Sequence, residues 1–389
     1  MAFDLGSAVA AKVTALDVST KPVLRRHGGR ASVLRFGGAL LTSLVVERRG
    51  PRDDEELFRL YSEVFGAPLA ESSRRRWRWQ YLENPANEDG PEIWVARDGD
   101  TLLGQYASMP VRLYWGEGEV RASWGMDVFV NAAARGRGVG ALLFTTWSDH
   151  VDVALGLGLT PSSHGLFKKL RYDDVGPVPF FQKVMDPGAV AARRLGTTLG
   201  PLAAPLLRAT LGALAPERPL DTAGVTVAPL EAFGEDYDAL WERARGSYAM
   251  CARRDRAYLQ WKYVACPHRT YERWEARRGG ALAGYAISRQ EDYHGTRLGW
   301  LIDVFSDAGD AAVQDALVGA VLDGFREGGV VRAQAFSLNR ALGDVLKRRG
   351  FLTTKSPMQF CVRARVGGPH LLGDTSRWHV MFGDSDMDR

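Results

Sequence analysis

Six consecutive residues, Arg135-Gly136-Arg137-Gly138-Val139-Gly140, combine two guanidinium groups with three glycines. Such a run can cradle an anion: glycine lets the backbone come close to a ligand, and the unpaired N–H groups of a helix's first turn point at it along the positive end of the helix dipole. A pyrophosphate suits this arrangement, with Arg135 and Arg137 adding charge-assisted hydrogen bonds. The flanking elements support it. A strand-like run from Trp124 to Val130 comes first, and Val139, Leu142, Leu143, Thr146, Trp147, His150 and Val151 then repeat at the spacing of one buried helix face. The spacing predicts an amphipathic helix from Val139 to Val151 whose glycine-rich start stays free.

Two motifs overlap here. Gly136, Gly138 and Ala141 fit Gly-x-Gly-x-x-Gly/Ala, the dinucleotide fingerprint, which needs an acidic residue closing the next strand to hold the ribose hydroxyls. The next strand-like run, Val153 to Thr160, ends in Thr160-Pro161. The nicotinamide reading therefore fails. Arg135, Gly138 and Gly140 instead match Arg/Gln-x-x-Gly-x-Gly/Ala, and here the chain resembles the GNAT (GCN5-related N-acetyltransferase) superfamily. The strand from Val153, the turn at Thr160 to Ser163 and the short helix through Leu170 also look like the rest of a GNAT core. Leu166-Phe167-Lys168-Lys169-Leu170-Arg171-Tyr172 stands where the family usually reads Leu-Tyr-x-Lys-x-Gly-Phe.

The resemblance implies acetyl-CoA or another acyl-CoA as co-substrate, its pyrophosphate held by Arg135, Gly136, Arg137, Gly138, Val139 and Gly140. It also implies that N–H groups around Phe129, Val130 and Asn131 face the thioester carbonyl while the pantetheine arm extends that strand. Asp127 sits where the family often has an acidic residue, so it is the candidate base. The same aspartate returns as Asp303 in a part of the chain with no cradle, which favours a bracing role equally. The family tyrosine that protonates the departing thiolate falls on Phe167, which has no proton to give. His164, one turn earlier, is the best substitute because its pKa lies near working pH; Ser162, Ser163, Tyr172 or a water are the alternatives.

The chain has 389 residues, 46% hydrophobic and 25% charged, with a formal net charge of +4. This is enough for two domains with sizeable cores. No basic block interleaved with aromatics occurs, so nucleic-acid binding is not favoured. Cys251, Cys266 and Cys361 lie in neither Cys-x-x-Cys nor His-x-x-x-His spacing, and reduced thiols without a metal are expected. No signal peptide or run of about eighteen apolar residues is present, which predicts a cytoplasmic protein with no transmembrane segment.

Internal repetition sets the domain count. Trp79-Gln-Tyr81 with Pro85 returns as Trp261-Lys-Tyr263 with Pro267; Trp94-Val-Ala-Arg returns as Trp274-Glu-Ala-Arg; Asp127-Val-Phe129 returns as Asp303-Val-Phe305, always in that order. The expected fold class is α/β, with two tandem GNAT-like domains, each a mixed, mostly antiparallel central sheet flanked by helices. Boundaries fall at 1–38 (a mobile extension), 39–185 (a domain with the acyl-CoA site), 186–222 (linker helices interrupted by Pro201, Pro205, Pro216 and Pro219), 223–366 (a second domain without the CoA motif) and 367–389 (a C-terminal tail). In place of the cradle the second copy has Asp307-Ala-Gly-Asp310, whose carboxylates would repel a pyrophosphate.

These readings converge on an acyltransferase that moves an acyl group, acetyl in the first instance, from acyl-CoA to an amine on a small-molecule acceptor, with an amino sugar as the candidate. A homodimer is compatible with this. Tandem GNAT arrangement with one working copy also resembles the Fem-type aminoacyl-tRNA-dependent transferases and GNAT proteins of bacterial surface-polysaccharide synthesis. The closing segment from Trp378 to Asp386 is similar to tails of the latter group. A non-catalytic GNAT-derived binding module is the remaining alternative; a cradle has no purpose in a scaffold, and that separates the two.

Overall fold

The computed structural model describes residues 34–36, 39–41, 44–50, 53–367 and 370–387. Most of the 1–38 extension lies outside the described residues. The described chain begins with a short hairpin, β1 (Leu34–Phe36) and β2 (Ala39–Leu41), followed by β3 (Leu44–Arg48), α1 (Asp54–Phe65) and α2 (Ala67–Trp77). A π-helical turn at Arg78–Leu82 leads to the meander β4 (Ile93–Asp98), β5 (Thr101–Trp115) and β6 (Gly118–Val130). Then come α3 (Val139–Ser148), β7 (Val153–Leu157), α4 (Pro161–Lys169), β8 (Asp173–Pro177), β9 (Phe180–Val184) and α5 (Pro187–Leu214). A second run repeats the pattern: β10 (Val225–Pro229), α6 (Asp236–Ala244), β11 (Met250–Ala252), α7 (Arg256–Tyr263), β12 (Glu272–Arg278), β13 (Ala281–Tyr293), β14 (Thr296–Ser306), α8 (Ala311–Glu327), β15 (Arg332–Phe336), α9 (Arg340–Arg348) and β16 (Leu352–Thr354). The chain closes with β17 (Gln359–Ala364), α10 (His370–Gly373) and β18 (Trp378–His379).

Two compact units form. Of the described residues, the first comprises those up to Arg112, Val120–Gly176 and Gln359–Gly367; the second comprises Leu113–Glu119, Pro177–Met358 and 370–387. The sheet of the first unit has the order β3-β4-β5-β6-β7-β17-β8, and that of the second β10-β12-β13-β14-β15-β9-β16. The expected α/β fold, two mixed and mostly antiparallel sheets flanked by helices, is what the chain forms. Parallel pairs are β6 with β7, β14 with β15, and the short β11 with β18 beside β5.

The sixth place in each sheet is filled from the other half of the sequence. β17 runs antiparallel to β7, while β9 lies antiparallel to both β15 and β16. The two sequence halves thus exchange their final strands, and each sheet gains the internal ladder that an edge would otherwise leave unpaired.

In the first unit, α3 and α4 bury Val139, Leu142, Leu143, Phe144, Trp147, Leu166 and Phe167 against Ala96, Tyr106 and Ala154 of the sheet. On the other side α1 and the π-turn pack Leu57, Phe58, Leu60 and Tyr81 against Val95, Ala107 and Phe129. Helix α3 ends at Ser148 rather than at Val151. The His150 N–H turns back to the Trp147 carbonyl, a tighter i→i+3 bond that ends the helix and lets Val151 drop into the core, where it is buried. In α5 the break comes at Gly196 (φ 80°, ψ 172°) and not at a proline; Pro201 and Pro205 lie inside the helical span. Among the described residues no helix is long and apolar enough to cross a membrane.

Candidate functional site

Helix α3 starts on Gly138, whose φ of 79° is left-handed, and no side chain caps it. Gly136 also has a positive φ, 77°, a conformation that disfavours a Cβ; a Cβ built on it would meet no atom within 4 Å. Ahead of these two glycines, Asn131 accepts the Ala133 N–H in its side chain and the N–H groups of Arg135 and Arg137 close short turns onto the Ala132 and Ala134 carbonyls. The result is an exposed loop feeding a helix N-terminus, with the side chain of Val139 turned into the core and Gly140 buried beneath. The two arginines divide. Arg135 is exposed, whereas the Arg137 guanidinium donates to Asp98 Oδ2 at 2.8 Å and fixes the loop to the end of β4.

β6 opens a gap immediately before this loop. It pairs with β7 through Ala122, Ser123 and Trp124, opposite Val153 to Leu155, and there the ladder stops although β6 continues to Val130. The Asn131 N–H donates to the Leu103 carbonyl of β5 at 2.7 Å, so it does not face the gap, contrary to the expectation for this amide. By strand alternation Phe129 shares that side, while the main-chain groups of Val128 and Val130 turn toward β7. The Phe129 ring is core, edge-on to Tyr61 at 5.3 Å and to Phe65 at 5.9 Å.

Asp127 stands on the stretch of β6 beyond the ladder with φ of 40°, a conformation rare for a non-glycine residue and costing about 1–3 kcal/mol. Its carboxylate is nearly buried. Oδ2 accepts from the Tyr81 hydroxyl at 2.6 Å and from Gln80 Nε2 at 3.4 Å, and Arg76 lies 3.8 Å away. The π-turn explains this reach: one wide turn brings Trp77, Trp79 and Tyr81 all into the interior, where a regular helix would have sent Trp79 to another face. Tyr81 is the neighbour of Asp127 that composition alone does not reveal. The signal lay in the repeat, since Tyr81 and Asp127 return together as Tyr263 and Asp303.

His164 lies in the second turn of α4, whose N-cap Thr160 accepts the Ser163 N–H. Its Nε2 is 2.9 Å from Asp174 Oδ2 on β8. Phe167 is buried, its ring edge-on to Phe144 (5.2 Å) and Tyr172 (4.6 Å) and so close over Gly156 that a Cβ there would sit 2.4 Å from it. Tyr172 is likewise core, stacked on Trp147, and burial pushes its phenol well up from the ordinary range. Its hydroxyl is thus enclosed in the core. Three clusters result: the 135–140 cradle with Asp98, Asp127 with Tyr81 and Gln80, and His164 with Asp174.

The second unit differs at the first two of these clusters. Asp310 caps α8 by accepting the Val313 N–H, and Arg278 binds its carboxylate at 2.6 Å, so the positive end of α8 is already occupied. Asp303 is fully buried and is met by Arg254 at 3.1 Å, His379 at 2.9 Å, Tyr285 at 2.9 Å and Tyr263 at 3.3 Å. Burial opposes its charge, but the Arg254 guanidinium and the His379 bond prevail and hold it well below the usual carboxylate range. Arg254 also reaches Asp384 at 2.9 Å, so residues of the closing segment complete a buried ionic network.

Residues 48–163 match the family model described as an acetyltransferase (GNAT) domain. Residues 48–163 are thus a GNAT-type domain. The matched segment contains Asp127 and the whole cradle and stops one residue short of His164. Among solved structures, the fold is similar to a GCN5-related N-acetyltransferase from Anabaena variabilis (13% identity, TM-score 0.56) and to a probable N-acyltransferase from Enterococcus faecalis (12%, 0.56), each over 83% of this chain and 73% of its own. A GCN5-related N-acetyltransferase from Kribbella flavida is similar over 83% of this chain and 72% of its own (14%, 0.52). At these identities the likeness is one of fold. No curated protein matches the chain significantly.

Proposed function

We propose that the chain transfers an acyl group from acyl-CoA to an amine on a small-molecule acceptor, through a single site in the first unit. The observation that carries this reading is the N-terminus of α3, a helix end preceded by two left-handed glycines and left without a side-chain cap, set beside α8, whose equivalent end is filled by Asp310. Acyl-CoA, when bound, supplies the activated thioester. The chain's own residues do the rest: Arg135 and the amides of Gly136, Gly138, Val139 and Gly140 hold the pyrophosphate, and the main-chain groups of Val128 and Val130 are placed to hydrogen-bond an arm lying in the gap beside β6. Asp127 takes the proton from the acceptor amine, with Tyr81 fixing its carboxylate. His164, oriented by Asp174, holds the proton for the departing thiolate. An amino sugar is the first acceptor class to test.

Release of the CoA thiol from acetyl-CoA in the presence of amines reads this directly. Amine-dependent release above background hydrolysis is expected, and Asp127→Asn, which keeps size but removes basicity, should lower turnover about a hundredfold. No amine-dependent release with amino sugars, polyamines or amino acids would contradict the reading. Full turnover in Asp127→Asn would leave the aspartate a brace, as Asp303 is.

A further inference from the structure

We infer that His164, Asp174 and Cys361 form a binding site for a divalent metal ion of the zinc class. His164 comes from α4, Asp174 from β8 and Cys361 from β17, and one donor atom from each lies within 4.8 Å of the other two. Among the described residues this is the one group of three such donors so disposed. His164 Nε2 stands 2.9 Å from Asp174 Oδ2, and Cys361 Sγ 3.9 Å from Asp174 Oδ1. Donors on a tetrahedral ion, with bonds of about 2.0–2.3 Å, are separated by roughly 3.5 Å, so separations of up to 4.8 Å must close by about an ångström, within reach of side-chain rotation.

The donor set selects the ion. A thiolate and an imidazole with one carboxylate favour zinc or cobalt over magnesium or calcium, and three protein ligands leave one position open. Charge also balances, because carboxylate and thiolate together neutralise a dication. Cys361 is buried, while the side chains of His164 and Asp174 are partly exposed and give the ion a way in. The charged groups facing the thiol are Asp174, Asp173 and Lys168. Lys168, 4.0 Å from Asp174, opposes the ion and must swing outward on a side chain that is itself half-exposed.

Binding breaks the Cys361 S–H bond, forms a metal–sulfur bond and sends one proton to solvent. The ion would occupy the Nε2 lone pair of His164. On the proposed function, which this consequence rests upon, metal occupancy inhibits transfer.

Titration of the full chain with Co2+ tests the site without any substrate. One equivalent should produce a thiolate-to-cobalt charge-transfer band that Zn2+ abolishes. Cys361→Ala and, at the surface, His164→Ala should each weaken binding more than about a hundredfold, while Cys266→Ala leaves it unchanged. Absence of the band in the wild type, or its loss in Cys266→Ala instead, where Cys266 lies 3.4 Å from His268, would overturn the site. Zn2+ should inhibit wild-type turnover and not that of Cys361→Ala; equal inhibition of both would overturn the link to His164 while leaving the cobalt result standing.

Discussion

At the scale of single residues, Phe167 shows how a family position can change from chemistry to packing. The ring lies directly over Gly156, with its Cζ 2.5 Å from where a Cβ on that glycine would stand. Restoring the family tyrosine adds a hydroxyl at this crowded, buried atom. Phe167→Tyr should therefore destabilise the first unit by about 1–3 kcal/mol, through overpacking and a buried hydroxyl, and should not raise turnover. Thermal denaturation with an activity assay checks both parts; a more stable or faster variant would contradict the packing described. The sequence marked Phe167 as a departure but gave no view of Gly156, which approaches it from a different element.

Among the elements, the two helix ends of α4 and α9 make a natural comparison. After α4 the Tyr172 N–H bonds the Phe167 carbonyl and the Arg171 N–H bonds that of Lys168, the pair of bonds of a Schellman turn, with the Tyr172 and Phe167 rings in contact across it. After α9 the same two bonds run from Phe351 to Leu346 and from Gly350 to Lys347. Gly350 takes its φ of 79° at no steric cost, whereas Arg171 is held at 61°. Arg171→Gly should then stabilise the protein by about 1 kcal/mol, measured by chemical denaturation; a loss of stability would mean that the arginine side chain contributes more than its backbone costs. Local signals of this kind were readable in advance: the glycine-rich start of α3, the repeat of Trp, Tyr and Asp positions, and the order of strands and helices all follow from neighbouring residues. The exchange of β9 and β17 was not, because a strand's pattern of apolar residues records that it is buried and not which strand lies beside it. Cys361 therefore joins His164 and Asp174 from nearly two hundred residues away, beyond any spacing rule for metal ligands.

For the molecule as a whole, the two units treat equivalent positions differently. The second unit fills its equivalent of the Asp127 region with a buried network that includes His379 and Asp384 from the closing segment. Burial, assisted by Arg254, lowers the pKa of His379 in spite of its bond to Asp303. Its folded pKa is depressed, so the unfolded chain takes up a proton near pH 6.5 that the folded chain refuses; the stabilisation is present above that pH and is lost as pH falls, by at most about 1.4 kcal/mol per unit. Denaturant titrations at pH 7.5 and 5.5 should show a smaller pH dependence for His379→Gln than for the wild type, and equal dependence would contradict the assignment. The first unit keeps its helix end open instead. Isothermal titration calorimetry of the full chain with CoA is the most direct measurement of that difference. One site per chain is predicted, abolished in Gly138→Val while circular dichroism still reports a folded protein. Two equivalent sites, no binding, or full affinity in Gly138→Val would contradict the account.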